Sequence, residues 1–136
     1  VHSTFETLDD ARAYIVDGPC ALYDERSFGL LLVEERASAT SVGICGLLTR
    51  DGLDAPDLGF AFLHAHCGKG YATEAGEAVM TDAARRLGLR RVLAITNPTN
   101  VASQRVLAKL GFAFLEERCI GDAAQPSSVF VAKRDA

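Results

Sequence analysis

DLGFAFLHAHCGKGYATEA, at residues 57–75, contains the strand, the loop and the helix start around which the rest of the 136-residue chain is arranged. It opens with an unbroken apolar run from Leu58 to Leu63, which is typical of a strand buried on both faces. A turn with two glycines follows at residues 67–70, and the alanine-rich segment from Tyr71 to about Leu87 has helical spacing. A strand, a glycine loop and a helix start leave several backbone N–H groups unpaired at the positive end of the helix dipole. This geometry predicts a binding site for a phosphate group.

The glycine loop does not match the two common nucleotide-binding patterns. A P-loop requires Lys and then Ser or Thr after its second glycine, whereas Tyr71 follows Gly70 here. The dinucleotide fingerprint requires three glycines at fixed spacing and a later acidic residue, and the loop does not fit that pattern either. Taken alone, Gly68 and Gly70 are also compatible with a simple tight turn.

A second motif makes the loop more informative. Residues 97–112 read NPTNVASQRVLAKLGF and begin about thirty residues after the glycine loop. Together with GKGYATEA behind a buried strand, this motif resembles the GNAT superfamily of N-acetyltransferases, and within it the ribosomal-protein alanine N-acetyltransferase-like branch. The resemblance covers roughly Leu8 to Lys133, which is nearly the whole chain.

The superfamily signature falls on the glycine loop. It consists of Arg or Gln, two free positions, Gly, one free position, and then Gly or Ala. Gly70 and Ala72 match it, whereas Cys67 stands where Arg or Gln is usual. This departure removes one side-chain contact and leaves the backbone cradle intact.

The resemblance implies an α/β (α+β) fold with a mixed, mostly antiparallel central sheet, flanked by helices and splayed at the cofactor site. The residue patterns predict the same order of elements. A first helix begins at Thr7, carries an apolar face and is ended by the Asp17-Gly18-Pro19 turn. The residues of that face are Leu8, Ala11, Tyr14 and Ile15. The predicted strands cover residues 27–34, 41–49, 58–63, 91–96, 112–120 and 128–133, and two further helices cover residues 71–87 and 100–110.

Composition bounds the class of protein. At 136 residues the chain is predicted to be one domain over residues 1–136, and 49% hydrophobic content without an apolar run of about 18 residues predicts a soluble globular protein outside membranes. The net charge of −4 argues against a nucleic-acid binder that neutralises phosphates. Members of the superfamily usually open with a strand and one or two helices before the first helix found here, so we expect an N-terminally incomplete domain.

The cysteine and histidine patterns predict neither disulfides nor a metal site. The four cysteines, at 20, 45, 67 and 119, form no C-x-x-C pair, which is typical of a reduced, cytoplasmic protein. Cys45 lies in an apolar run and is predicted to be a core residue. The pair His64-x-His66 lacks a third ligand at a suitable spacing, so no metal is expected.

The resemblance implies acetyl-CoA as cosubstrate and assigns its contacts residue by residue. The predicted contacts are Phe60, Ala61, Phe62, Gly68, Lys69, Gly70, Tyr71, Ala72, Thr73, Asn100 and Ser103. Glycine suits the loop because a Cβ atom would block close approach of the diphosphate. Lys69 either adds a screened positive charge or is a solvated surface residue, and Tyr71 packs over the helix start. In the superfamily the third strand is splayed from its neighbour, which makes the Phe62 amide the predicted oxyanion donor.

The catalytic assignments also follow from the resemblance. Asp57 stands where relatives carry an acidic base, and its short side chain calls for a relay water; His64 or His66 are the alternatives. Ser103 is predicted to donate a hydrogen bond near the sulfur, and Asn100 to bond the pantetheine amide, although both residues could instead only cap a helix. Leu107 occupies the position at which some relatives carry a tyrosine acid.

The predicted function is transfer of an acetyl group from acetyl-CoA to a primary amine, either a protein N-terminus or a small amine, by direct attack in a ternary complex. The alternatives are a CoA-binding protein without turnover and a nucleotide-binding α/β domain. A homodimer is a further prediction, because exposed C-terminal strands of this fold often pair.

Overall fold

Six strands form one sheet in the computed structural model, which describes residues 5–134. The strands are β1 (Leu30–Glu34), β2 (Ser41–Leu48), β3 (Asp57–Phe62), β4 (Arg91–Thr96), β5 (Ala113–Arg118) and β6 (Ser127–Lys133). Their order across the sheet is β1-β2-β3-β4-β6-β5, and every neighbouring pair except β3 and β4 is antiparallel. The predicted mixed, mostly antiparallel sheet is therefore confirmed.

The sheet opens between β3 and β4. Among the described residues these two strands share a single registered pair, Asp57 with Leu93, and the Leu93 N–H donates to the Pro56 carbonyl across 2.9 Å. By contrast, β2 pairs with β3 over the whole length of β3, from Leu48 opposite Asp57 to Gly43 opposite Phe62. The two parallel strands thus meet at their first residues and separate towards their carboxyl ends, which is the predicted splay.

Two helices cover one face of the sheet and form the core with it. They are α3 (Tyr71–Arg85) and α4 (Val101–Lys109). Alternate side chains of the central strands point to this face. The buried strand residues on it are Cys45, Leu47, Leu58, Val92, Ala94, Phe130 and Ala132, and the helices contribute Met80, Ala83, Leu107 and Leu110. Burying a Leu or Met side chain stabilises the fold by roughly 1.5–3 kcal/mol, so these layers fix the position of both helices on the sheet.

The two helices approach closely where α3 carries a glycine. A Cβ atom at Gly76 would lie 2.6 Å from Leu110 Cδ1, at the end of α4. Gly111 follows with φ +88, a left-handed conformation that favours glycine, and it ends the helix as predicted. The predicted ends of both helices agree with the structure to within two residues.

The N-terminal part of the chain differs from the prediction. The first helix, α1 (Leu8–Ile15), begins at the predicted Thr7 cap, but the Asp17-Gly18-Pro19 sequence does not end it. The chain continues through a π-helical segment (Val16–Cys20) into α2 (Ala21–Arg26). A wide π turn accommodates Pro19, which lacks an N–H to donate, without interrupting the helical path.

The predicted apolar face of α1 is also wrong in part. Leu8 is 66% exposed and Ile15 is 51% exposed, whereas Ala11 and Tyr14 are half-buried. The strand predicted from residue 27 starts at Leu30, because Ser27 adopts a left-handed conformation with φ +64 at the end of α2. Local patterns could not reveal this cap, since serine rarely takes that conformation.

The state of the cysteines agrees with the predictions made from the sequence. All four cysteines are free, and Cys45 is buried as predicted. Burial raises the pKa of the Cys45 thiol to about 12, so it is inert in the core. None of the helices within residues 5–134 is both long and apolar enough to cross a bilayer.

Candidate functional site

A cavity of about 660 Å³ lies where β3 and β4 separate, and it extends to the glycine loop and to α4. Its walls contain ten of the predicted contact residues: Phe60, Ala61, Phe62, Gly68, Gly70, Tyr71, Ala72, Thr73, Asn100 and Ser103. Lys69 does not line the cavity and is exposed to solvent, as expected if it is a surface lysine. The fold thus brings two distant sequence motifs to one opening in the sheet.

The glycine loop leaves open space for a ligand. Gly68 and Gly70 adopt left-handed conformations with φ +77 and +84, and an added Cβ atom at either position would meet no protein atom within 4 Å. Gly70 is the N-cap of α3 and provides no side-chain hydrogen bond to the helix. The first-turn N–H groups of α3 are therefore uncapped by a side chain, which suits an anion such as a diphosphate.

The backbone of β3 presents amides to the cavity. The Leu63 N–H donates to the Val42 carbonyl of β2 across 2.9 Å, while Pro56 at the other end accepts from β4. Because successive residues of a strand direct their backbone groups to opposite sides, Phe60 and Phe62 direct theirs away from β2 and towards β4. Beyond Asp57 the gap offers them no registered partner among the described residues of β4.

Asp57 is placed differently from the other predicted residues. Its side chain is fully buried and does not line the cavity, and its Oδ2 accepts a 2.8 Å hydrogen bond from Arg50 Nε. Burial raises the pKa of Asp57, and the Arg50 charge and hydrogen bond offset part of that rise. Arg50 does line the cavity, so the pair connects the buried carboxyl group with its wall.

Asn100 and Ser103 have different roles at the N-terminus of α4. Asn100 is the N-cap, and its Oδ1 accepts the Ser103 N–H across 3.1 Å. Asn100 therefore caps α4 with its side chain, whereas Ser103 takes part through its backbone and its hydroxyl group is not part of the cap. Leu107, one turn further along, is fully buried in the core and also lines the cavity.

Tyr71 has a role beyond packing over the helix start. Its hydroxyl group donates a 2.5 Å hydrogen bond to Glu35 Oε2, which lies between β1 and β2. This bond lowers the pKa of Glu35 and raises the pKa of the Tyr71 phenol. Ser38 Oγ also donates to Glu35, at 2.9 Å. The first turn of α3 is thus tied to a loop far away in sequence.

Sequence reasoning missed several residues of the cavity wall. Arg50 follows a strand end without any motif, and Thr96 is the last residue of a predicted strand. His66 was not missed, since the sequence offered it as an alternative base; it lies in a short 3-10 turn (His64–His66), and its Nδ1 is buried without a hydrogen-bond partner among the described residues. A polar residue at the carboxyl end of a strand beside the splay was the one signal that could have identified Thr96.

Cys67 and the two histidines complete the loop. Cys67 Sγ lies 3.5 Å from the Leu63 carbonyl and 3.7 Å from the Phe62 carbonyl, so the thiol turns back towards the end of β3. His66 lines the cavity and its ring centroid lies 6.4 Å from that of Tyr71, whereas His64 is exposed and lies outside the wall. Over residues 5–134, no three His, Cys, Asp or Glu side chains are grouped as a metal ion would need.

Comparison with known proteins identifies the fold and the family. A family model described as an acetyltransferase (GNAT) domain matches residues 3–113. The chain is 34% identical over 89 residues to the probable N-acetyltransferase YjcK of Bacillus subtilis, and this alignment covers 65% of the chain and 49% of YjcK. The chain spans about half the length of the curated relatives it matches.

Two solved structures share the fold at low sequence identity. A ribosomal-protein alanine acetyltransferase of Vibrio fischeri has a TM-score of 0.81 and 18% identity, over 99% of this chain and 78% of that one. RimL, a ribosomal-protein acetyltransferase solved in complex with coenzyme A, has a TM-score of 0.77 and 17% identity, over 93% of this chain and 73% of RimL. These likenesses show a common architecture.

Proposed function

The chain belongs to the GNAT acetyltransferase family, and we propose that it transfers an acetyl group from acetyl-CoA to a primary amine in a ternary complex. The observation that carries this proposal is the gap between β3 and β4, which runs from a row of unpaired backbone positions to an open glycine loop. Coenzyme A has the matching parts, an amide-containing arm and a diphosphate, and its thioester supplies the activated acetyl group.

The glycine loop would hold the diphosphate. Uncapped N–H groups from Gly68 to Thr73 provide hydrogen-bond donors at the positive end of α3, and the open space at Gly68 and Gly70 allows the ligand to approach the backbone. Lys69 would add only a screened charge, because it is exposed and does not line the cavity.

The β3 backbone would bind the arm and polarise the thioester carbonyl. Phe60, Ala61 and Phe62 all line the cavity, and the Phe60 and Phe62 amides face the gap. Phe62 lies farther than Phe60 from Asp57, the residue at which β3 pairs with β4. The two strands are therefore more widely separated at Phe62, and we assign the Phe62 N–H as the oxyanion donor. A donor of this kind typically contributes about 3 kcal/mol to transition-state stabilisation.

Asp57 would accept the proton of the attacking ammonium group. The nitrogen would then attack the thioester carbon, so that the C–N bond forms and the C–S bond breaks. The thiolate would leave near Ser103 and take up the second proton of the acetylated nitrogen, giving the amide and the free thiol. Because Asp57 does not line the cavity, its proton must arrive through water beside Arg50. Burial favours the neutral acid and so strengthens Asp57 as a base, while the Arg50 charge and hydrogen bond favour the carboxylate.

His66 is the second candidate for the base, because it lines the cavity and its buried Nδ1 has no hydrogen-bond partner within residues 5–134. Steady-state rates of Asp57→Asn and His66→Gln over a range of pH distinguish the two. The substitution that removes the acidic limb of the pH–rate profile identifies the base, whereas an unchanged limb excludes the residue.

Calorimetric titration and a thiol-release assay test the proposed activity. We expect acetyl-CoA to bind, ATP not to bind, and free thiol to appear with at least one class of amine. A panel of short peptides with free N-termini and small polyamines covers the two acceptor classes. The peptide class is favoured by the likeness to a ribosomal-protein alanine acetyltransferase.

A CoA-binding protein without turnover is the competing function. Leu107 occupies the position of a tyrosine acid in some relatives, and Cys67 replaces the usual Arg or Gln. A thiolate leaves without much acid assistance, since a thiol has a pKa of about 8.5, so Leu107 does not by itself prevent transfer. Binding of acetyl-CoA with no thiol release above background across the whole panel would favour the binding protein.

The predicted homodimer would form at β5. This strand lies at the sheet edge, every one of its residues is exposed, and Phe114 and Leu115 present apolar side chains to solvent. Sedimentation of the wild type and of Leu115→Glu tests this prediction, because a charge at the edge should reduce the association. Because the cysteines are free, we continue to expect a cytoplasmic location for the protein.

A further inference from the structure

Thr96 carries a buried hydroxyl group to which no residue in the described part of the chain is hydrogen-bonded. It is the last residue of β4 and is 9% exposed, and its Oγ1 has no hydrogen-bond partner among the described residues. Ser128, its partner across the strand pair with β6, does not reach it with a hydrogen bond. A buried hydroxyl group without a partner destabilises a folded protein, so its presence calls for a reason.

The position of Thr96 offers that reason. Counting from the pair of Asp57 with Leu93, Thr96 lies three residues along β4, as Phe60 does along β3. By strand alternation both side chains belong to the face covered by α3 and α4, and both residues line the cavity. Thr96 is therefore on the wall of the gap that faces the β3 backbone, just before the turn that leads to Asn100.

We propose that Thr96 is a positioning residue of the coenzyme site, whose hydroxyl group donates a hydrogen bond to an amide carbonyl oxygen of the pantetheine arm. The proposal rests on the proposed function, because it takes coenzyme A as the ligand in the gap. Rotation about the Cα–Cβ bond exchanges the hydroxyl and methyl groups of threonine, so the donor can turn to the arm when the cavity is filled. In the free protein none of the residues that the structure describes pairs with this hydroxyl group, and a buried hydroxyl group without a partner reduces stability.

The competing explanation is a structural hydroxyl group satisfied by a buried water molecule. The two explanations predict opposite signs for Thr96→Val, which replaces the hydroxyl by a methyl group of similar size. A structural hydroxyl would make the variant less stable and leave coenzyme binding unchanged. A hydroxyl that waits for the ligand would make the free variant at least as stable as the wild type and weaken coenzyme binding.

Thermal unfolding and calorimetric titration of the full chain provide the test. We expect Thr96→Val to raise the Tm of the free protein by about 2–5 °C and to weaken coenzyme A binding by about five- to tenfold. Adenosine 3′,5′-diphosphate, the nucleotide part of coenzyme A without its arm, should bind both proteins equally. Thr96→Ser keeps the hydroxyl group and should retain the wild-type affinity for coenzyme A.

Any other combination overturns the inference. A lower Tm for Thr96→Val identifies an internal partner for the hydroxyl group, and unchanged coenzyme A affinity removes Thr96 from the site. Equal weakening for coenzyme A and for the nucleotide would mean that the cavity wall as a whole has shifted. If the wild type binds the nucleotide but not coenzyme A, or binds neither, the proposed function fails together with this inference, which distinguishes that failure from one confined to Thr96.

Discussion

Arg50 Nε donates to Asp57 Oδ2 across 2.8 Å and holds a fully buried carboxyl group at the point where β3 and β4 still pair. One third of the Arg50 side chain is exposed, whereas none of the Asp57 side chain is. The arginine can therefore be rehydrated when the pair is broken, and the aspartate cannot. This asymmetry decides which substitution is costly.

Replacing Arg50 should reduce stability in a pH-dependent way. Arg50→Met removes the hydrogen bond and the charge that offset burial of the Asp57 carboxyl group, and we expect the free energy of unfolding at neutral pH to fall by about 2–3 kcal/mol. Burial raises the pKa of Asp57, and loss of Arg50 raises it further, so the folded variant binds this proton more tightly than the unfolded chain does. The destabilisation should therefore shrink as the pH falls through the folded-state pKa.

Urea unfolding at about pH 8 and about pH 5 measures this difference. Arg91→Met is the matched control, because it breaks the more exposed ion pair with Asp54 and should change stability little at either pH. An equal loss of stability for Arg50→Met at both pH values would show that Asp57 is not the group responsible.

The bond between Tyr71 and Glu35 should affect coenzyme binding more than folding. It ties the first turn of α3, which carries the proposed diphosphate donors, to the loop between β1 and β2. Tyr71→Phe and Glu35→Gln should each weaken coenzyme A binding by about three- to fivefold, and the double variant should be no weaker than either single one. Calorimetric titration measures all three, and Tyr23→Phe in α2 controls for loss of a phenol elsewhere. Additive effects would mean that the two side chains act separately.

The sequence predicted those elements whose local signals agreed with their tertiary surroundings. Residues 91–96 and the helix behind Gly70 match the structure because apolar periodicity, glycine placement and packing against the sheet all favour the same result. The turn at Asp17-Gly18-Pro19 was misinterpreted because a π-helical segment absorbs Pro19, and no local pattern distinguishes that from a helix end.

The candidate site also contains features that the sequence could predict and features that it could not. The placement of β3 and the glycine loop around one cavity could be predicted, since motifs encode that chain geometry. Contacts such as Arg50 with Asp57 could not be predicted, because they depend on which loop folds over which strand end. The burial of Asp57 is a consequence of that tertiary contact, so the sequence could identify the residue but not its environment.

Gly70→Ala should weaken coenzyme A binding through the backbone of the loop. Gly70 has φ +84 and open space around it, so an added methyl group strains the chain and occupies the space proposed for the diphosphate. We expect at least a tenfold loss of affinity. Gly111→Ala is the matched control, because Gly111 has φ +88 and equally open surroundings but lies outside the cavity wall. Both variants should lose similar stability, and only Gly70→Ala should lose affinity; equal affinities would remove the loop from the site.

Substitution of Asn100 should reduce the stability of the protein, whereas substitution of Ser103 should reduce the rate of acetyl transfer. Asn100→Ala removes the side-chain oxygen that accepts the Ser103 N–H, and loss of such a cap typically costs about 1 kcal/mol. Ser103→Ala keeps that N–H, so α4 remains capped and the free energy of unfolding should be unchanged. If the Ser103 hydroxyl group stabilises the departing thiolate, kcat should fall by about tenfold with little change in the KM for acetyl-CoA. Chemical unfolding and steady-state thiol release on both variants measure these effects. A Ser103→Ala variant with wild-type kcat would leave Ser103 a part of the cavity wall without a role in transfer.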